Sequence, residues 1–158
     1  MAKTLVIYYS RTGNTRFIGE QIAKITQGDV EELLDKKNRK GLWGYLISGR
    51  DAVLNKAADL FDLKKNPAEY DLIFVGTPNW AYNITPAIRA YLQKYNLEGK
   101  HVALFTTQES MGAEKVFNTL RRLIPKAEIV SEKYFNKVLL NQDRIKGEIA
   151  LWLNSLLK

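Results

Sequence analysis

The chain has 158 residues, 46% of them hydrophobic, with one histidine and no cysteine. That length and apolar content suit one domain, residues 1–158, with a sizeable core. The lack of thiols excludes disulfides, thiolate catalysis and iron–sulfur ligation, and a lone imidazole makes a transition-metal site improbable.

The formal charge of +7 favours acidic partners or surfaces. There is no nucleic-acid-binding motif and no basic helix stripe, so nucleic acid is not an expected partner. No apolar run is long enough to span a bilayer. The first strand begins directly after Met1-Ala2-Lys3, which leaves no room for a signal peptide. A cytoplasmic protein is the default expectation.

Leu5 to Tyr9 is a continuous apolar run, as expected of a buried parallel strand. Ser10 to Thr15 forms a turn. Phe17, Ile18, Ile22 and Ile25 then follow the spacing of one helix face, with a stop at Gly28. Val30 to Leu34 reads as a short edge strand, because Glu31 and Glu32 interrupt it. Asp35 to Lys40 reads as a solvated basic loop, with a docking patch for an acidic partner as the alternative. From Gly41 to Ala58 the apolar positions are near-helical, and three glycines weaken the helix. Trp43 and Tyr45 in this segment belong either to the core, the preferred reading, or to a hydrophobic lid near the ligand.

Tyr70 to Gly76 is the next buried strand, after a turn at Pro67. Thr85 then Pro86 is a helix start, with Ile88, Tyr91, Leu92 and Tyr95 facing inward. His101 to Thr106 is a strand, Ala113 to Ile124 a helix ended by Pro125, and Glu128 to Phe135 the last strand. Asn141 is the expected cap of a final helix with a stripe of Ile145, Ile149, Trp152, Leu153 and Leu156. Alternating strand and helix implies a parallel sheet covered on both faces.

The turn at Ser10-Arg11-Thr12-Gly13-Asn14-Thr15 holds three hydroxyls, a glycine and an asparagine. A helix start leaves N–H groups unpartnered and carries partial positive charge. Gly13 permits close approach of a ligand, and Ser10, Thr12 and Thr15 add O–H donors. These features suit a compact dianion such as a terminal phosphate. Arg11 and Arg16 can add charge or remain solvated. The plainer reading makes Thr12, Asn14 or Thr15 an ordinary N-cap, but one such residue would suffice. The turn lacks the G-x-x-x-x-G-K-[ST] and G-x-G-x-x-G patterns, so a triphosphate or dinucleotide is not indicated.

S-x-T-G-N-T after the first strand resembles the phosphate loop of the flavodoxin and flavodoxin-like family. The resemblance implies a three-layer α/β sandwich with a five-stranded parallel sheet in order 2-1-3-4-5, and FMN at the switch point. Loops 10–15, 77–83 and 107–112 would then meet at the carboxyl ends of the strands. Gly76-Thr77-Pro78-Asn79-Trp80 is similar to the family's second loop and implies that Trp80 lies against the isoalloxazine. The Ala81–Tyr82 peptide corresponds to one that can turn toward flavin N5 as the redox state changes. Glycine is common there in the family; its absence here makes a positive φ more costly. Thr106, Thr107, Gln108 and Gly112 belong to a loop that resembles the one bonding the pyrimidine edge. That loop has no second aromatic, so Tyr82 or Met111 covers the outer flavin face, or the face stays open.

The resemblance implies an FMN-dependent electron carrier serving redox partner proteins, in which the flavin does the chemistry; the positive charge suits acidic-faced partners. The alternative is a flavin-dependent oxidoreductase acting on NAD(P)H or a quinone-type substrate, which an open outer face would favour. A regulatory module without flavin is a third class. His101 falls at the far end of its strand and reads as structural. Ser10 has no histidine base in reach. Glu109, the only carboxylate in the three loops, reads as solvated.

Overall fold

The computed structural model describes residues 2–158. Five parallel strands form one sheet in the order β2-β1-β3-β4-β5. They are β1 (Thr4–Tyr8), β2 (Asp29–Glu32), β3 (Leu72–Pro78), β4 (His101–Gln108) and β5 (Glu128–Asn136). The helices are α1 (Asn14–Thr26), α2 (Gly41–Val53), α3 (Pro86–Lys94), α4 (Ala113–Leu123) and α5 (Gln142–Leu156). Three-residue 3₁₀ turns lie at Pro67–Glu69 and Val138–Leu140. The expected sheet order and the two helix layers are those observed. Among the described residues no helix is long and apolar enough to cross a membrane.

Side chains alternate across the strands and so feed two cores. Leu5, Ile7, Ile73, Val75, Val102 and Leu104 point to the layer of α3 and α4, where they meet Ile88, Tyr91, Val116 and Leu120. Val6, Tyr8, Phe74, Ala103 and Phe105 point the other way, to Ile18 and Ile22 of α1 and to Ile145, Ile149 and Trp152 of α5. Gly76 is needed at its position because a Cβ there would collide with the Phe105 ring.

Several boundaries differ from the sequence expectation, each for a local reason. β3 and β4 run to Pro78 and Gln108, past the apolar runs, because Thr77 pairs with Thr106 and Pro78 with Thr107 across the ladder. The helix α1 ends on Gln27 in the left-handed region (φ 52) rather than on the glycine. Gly28 is instead small because a Cβ would lie 3.0 Å from the Thr4 carbonyl oxygen. Ile25 is exposed, outside the buried stripe of α1. Asn141 precedes α5 without capping it; its amide donates to the Lys137 carbonyl instead. On the edge strand β2, Glu31 is buried and accepts bonds from the Lys64 and Lys65 N–H groups at 2.9 and 2.6 Å.

The segment 35–58 departs most. Asp35 to Lys40 is not simply a solvated loop: Arg39 is buried, and its guanidinium bonds the Asp35 and Asp51 carboxylates. α2 stops at Val53, and Trp43 and Tyr45 are 78% and 61% exposed instead of lying in the core. The buried face of α2 is Gly44, Ser48, Asp51 and Ala52. Gly44 passes against the Arg39 backbone, and Asp51 receives Lys37, Arg39 and Arg50. Those ion pairs and the close glycine contact set which side of α2 turns inward, so its large apolar residues turn out.

Candidate functional site

Ligands in open parallel sheets sit beyond the carboxyl ends of the strands, where the chain order reverses. Here β1, β3 and β4 end side by side, and the loops leaving them enclose a cleft of about 280 Å³. Its walls include Ser10, Thr12 and Asn14 from the first loop, Asn79 and Trp80 from the second, and Gln108 from the third. Arg11, Thr15, Pro78 and Thr107 line it too, as do Tyr45 of α2 and Glu109.

The first loop ends on Gly13, which has φ +97 and serves as the N-cap of α1 without any side-chain cap bond. The plainer N-cap reading of Thr12, Asn14 or Thr15 therefore does not hold. Gly13 N–H donates to Ser10 Oγ at 3.1 Å, and the Asn14 amide donates to Thr12 Oγ1 at 3.0 Å. Asn14 Oδ1 accepts from Leu139 N–H at 3.2 Å, which moors the loop to the turn before α5. Among the described residues, the Asn14 and Thr15 N–H groups meet no acceptor. Uncapped donors at a helix start, rimmed by hydroxyls, are suited to an anion.

Thr15 Oγ1 and Thr107 Oγ1 are 2.7 Å apart and buried, so the first and third loops are tied together. Arg16 turns away and bonds Glu32, its Nη2 2.6 Å from Oε1. Arg11 stays in the cleft, its guanidinium 5.2 Å from the centre of the Tyr45 ring.

Trp80 is half-buried and meets Tyr9 edge-on, with ring centres 5.5 Å apart. The Arg39 guanidinium lies 5.8 Å from the indole centre. Burial alone would push Arg39 down in pKa; the bonds and charges of Asp35 and Asp51 outweigh it and raise it. This buried cation beneath the indole is absent from the sequence reading. The only signal for it is the four-residue spacing of Asp35 and Arg39.

Trp80 and Asn83 exchange two backbone hydrogen bonds of 3.0 Å around Ala81 and Tyr82. Both central residues have positive φ, 52° and 63°, as a two-residue type I′ turn requires. The left-handed conformation is thus adopted without glycine. Asn79 N–H donates to the Thr107 carbonyl at 2.9 Å, and its amide reaches Gln108 Oε1 and the Met111 carbonyl. Asn79 Oδ1 is buried and unpartnered at the cleft wall, an acceptor waiting for a donor.

The expected residues divide by position. Thr77 and Thr106 are fully buried and their hydroxyls are used inside: Thr106 donates to the Thr77 carbonyl, and Thr77 accepts from Thr85 N–H. Neither side chain reaches the cleft. Ala81 borders an adjoining pocket of about 230 Å³ shared with Tyr45, Leu46, Ser48 and Gly49. Tyr82 faces a third, larger concavity of about 880 Å³. That one is broad and lined by charged and amide side chains, and so is poorly matched to a flat apolar ring. Gly112 has φ +100, and a Cβ there would collide with the Tyr82 ring. His101 is exposed at the start of β4, away from all three loops, beside Glu128.

Many solved structures share this fold, among them the following three. A chain from Bacteroides uniformis ATCC 8492, described as a candidate flavoprotein, superposes with TM-score 0.78 at 21% identity, covering 96% of this chain and 97% of that one. A similar protein from Bacteroides eggerthii DSM 20697 gives 0.75 at 19%, covering 100% and 99%. A flavoprotein from Lactobacillus acidophilus NCFM, solved in complex with FMN, gives 0.71 at 20%, covering 88% and 97%. The family described as flavodoxin matches residues 3–156, nearly the whole length. The chain belongs to the flavodoxin family.

Proposed function

We propose that this chain, as a single flavodoxin-like domain, binds FMN in the three-loop cleft and carries electrons between partner proteins. The observation that carries this reading is the uncapped start of α1, whose free N–H groups open into the cleft beside three hydroxyl side chains. The phosphate would be held there by Ser10, Thr12, Asn14 and Thr15 with the backbone of Gly13. Trp80 would support the ring, and Asn79 Oδ1, Gln108 and the Thr107 to Gly112 backbone would meet its polar edge. The flavin supplies reversible one- and two-electron chemistry when bound; this chain orients it and sets its surroundings. The similar L. acidophilus protein solved with FMN supports the same ligand class. Redox partner proteins with acidic faces suit the net charge of +7, and a cytoplasmic location suits a cysteine-free chain.

A second reading, an FMN-dependent oxidoreductase, is favoured by the pocket of about 230 Å³ that adjoins the cleft. Its Tyr45, Leu46 and Trp80 walls could receive a flat, quinone-like substrate. Titration of the unloaded protein with FMN tests the shared part. Uptake of one FMN, weakened about tenfold in Thr12→Ala, supports it, since one charge-assisted bond is worth about 1.5 kcal/mol. No uptake in excess FMN would overturn it. NAD(P)H oxidation with an added quinone and no reductase selects the oxidoreductase; reduction only through a reductase protein selects the carrier.

A further inference from the structure

The broad concavity on the far side of Tyr82 has its own chemistry. It is lined by Asn55, Tyr82, Asn83, Lys115, Thr119 and Arg122, and it shares no residue with the cleft. Among the described residues, neither Lys115 nor Arg122 bonds a carboxylate. Lys115 Nζ lies 5.1 Å from the centre of the Tyr82 ring, and Arg122 donates only to Thr119 Oγ1, at 3.3 Å. Arg121 on the rim is a different case, neutralised by Glu114 and Glu132.

Arg89 lies behind this wall and is 7% exposed. Its Nη2 donates to Asn55 Oδ1 at 2.8 Å and to Asn83 Oδ1 at 3.3 Å, two neutral amides. Burial pushes its pKa down, and the nearby charge of Arg122 pushes it the same way. A buried guanidinium held only by amides is costly unless an anion comes close. The two amides that bond it are also part of the groove wall, so its charge is felt at the groove surface. Two solvent-facing cations and one buried cation at a concave surface suit a compact group with several negative charges, because guanidinium matches phosphate geometry.

We propose that this groove binds the diphosphate group of a small nucleotide. Arg122 and Lys115 contact the phosphates, and Arg89 supplies charge from behind the Asn55–Asn83 wall. Since Tyr82 belongs to the loop that carries Trp80, the bound nucleotide sits next to the cofactor cleft.

The test is calorimetric titration with pyrophosphate, ADP and AMP at physiological salt, with and without excess FMN. Saturable binding of pyrophosphate and ADP is expected in both conditions, with AMP at least about fivefold weaker. Arg122→Gln and Lys115→Gln should each weaken ADP about fivefold or more, while Lys24→Gln, an exposed cation on α1, should change it less than about twofold. Three results would overturn the proposal: no saturable binding, equal weakening by Lys24→Gln, or equal affinity for AMP. Loss of pyrophosphate binding on adding FMN would overturn it too, because the ligand would then have been in the Ser10–Thr15 loop. The comparison without FMN holds whether or not the protein takes up that cofactor.

Discussion

Thr15 and Thr107 face each other across the cleft floor with their hydroxyl oxygens 2.7 Å apart, joining the first turn of α1 to the end of β4. Both are buried, at 1% and 4% exposure, so neither can exchange its partner for bulk water. Thr15→Val or Thr107→Val alone leaves an unpaired buried hydroxyl and should cost about 1–3 kcal/mol in urea unfolding. The double substitution should cost less than the sum of the two by about 0.5–1.5 kcal/mol, and strict additivity would show that the pair is not coupled.

The turn at Ala81 and Tyr82 carries two left-handed residues with side chains. Ala81→Gly removes a steric penalty that the folded loop already bears, so it should raise stability by about 0.5–1 kcal/mol. At an ordinary helical or extended φ the same substitution would lower it. The sign of the shift in thermal midpoint therefore checks the turn type.

Asp51 sets an acid limit. Burial pushes its carboxyl up, but bonds from Lys37, Arg50 and Arg39 outweigh that and hold it at about 2. Its folded value lies below the unfolded one of about 3.9. The contribution is therefore present above about pH 4 and is lost as pH falls through about 2. Asp51→Asn should be less stable at pH 7 by about 1–3 kcal/mol, because Arg39 keeps Asp35 but loses its second buried carboxylate. The gap to the parent should narrow between pH 4 and pH 2, and a pH-independent gap would refute the ionic role.

The two sides of α2 should respond oppositely to substitution. Trp43→Gln, on the exposed side, should change stability by no more than about 0.5 kcal/mol. Gly44→Ala adds one methyl where the Arg39 backbone passes, and should cost about 1–3 kcal/mol. Thermal unfolding of the two variants compares them directly.

The layers of this fold are legible in the sequence wherever one physical force dominates. Unbroken apolar runs mark β1, β3 and β4, and Thr85-Pro86 marks the start of α3, where Thr85 Oγ1 accepts from Ile88 N–H. The convergence of the three loops follows from strand order. Facing is less legible where polar side chains have inside partners. Thr77 and Thr106 read as members of the cofactor loops, and nothing in the sequence tells that their hydroxyls are turned to neighbouring backbone inside the sheet. α2 misleads for the same reason: hydropathy counts Asp51 and Ser48 as outward, while three cations and a helix carbonyl draw them inward. The left-handed Gln27 could not be foreseen, since the adjacent glycine is small for another purpose.

The buried Glu31 on β2 bears on how the protein behaves at high concentration. An outermost strand invites a neighbour's backbone to dock and lengthen the ladder, which is how fibrils begin. Here that border is held by the chain's own 59–65 stretch: Phe61 N–H reaches Leu34, Lys36 N–H reaches Asp59, and the carboxylate takes two more amides. A stranger's strand would have to evict these bonds and leave a buried carboxyl group without its partners, so crowding alone does not turn this side of the molecule into a template.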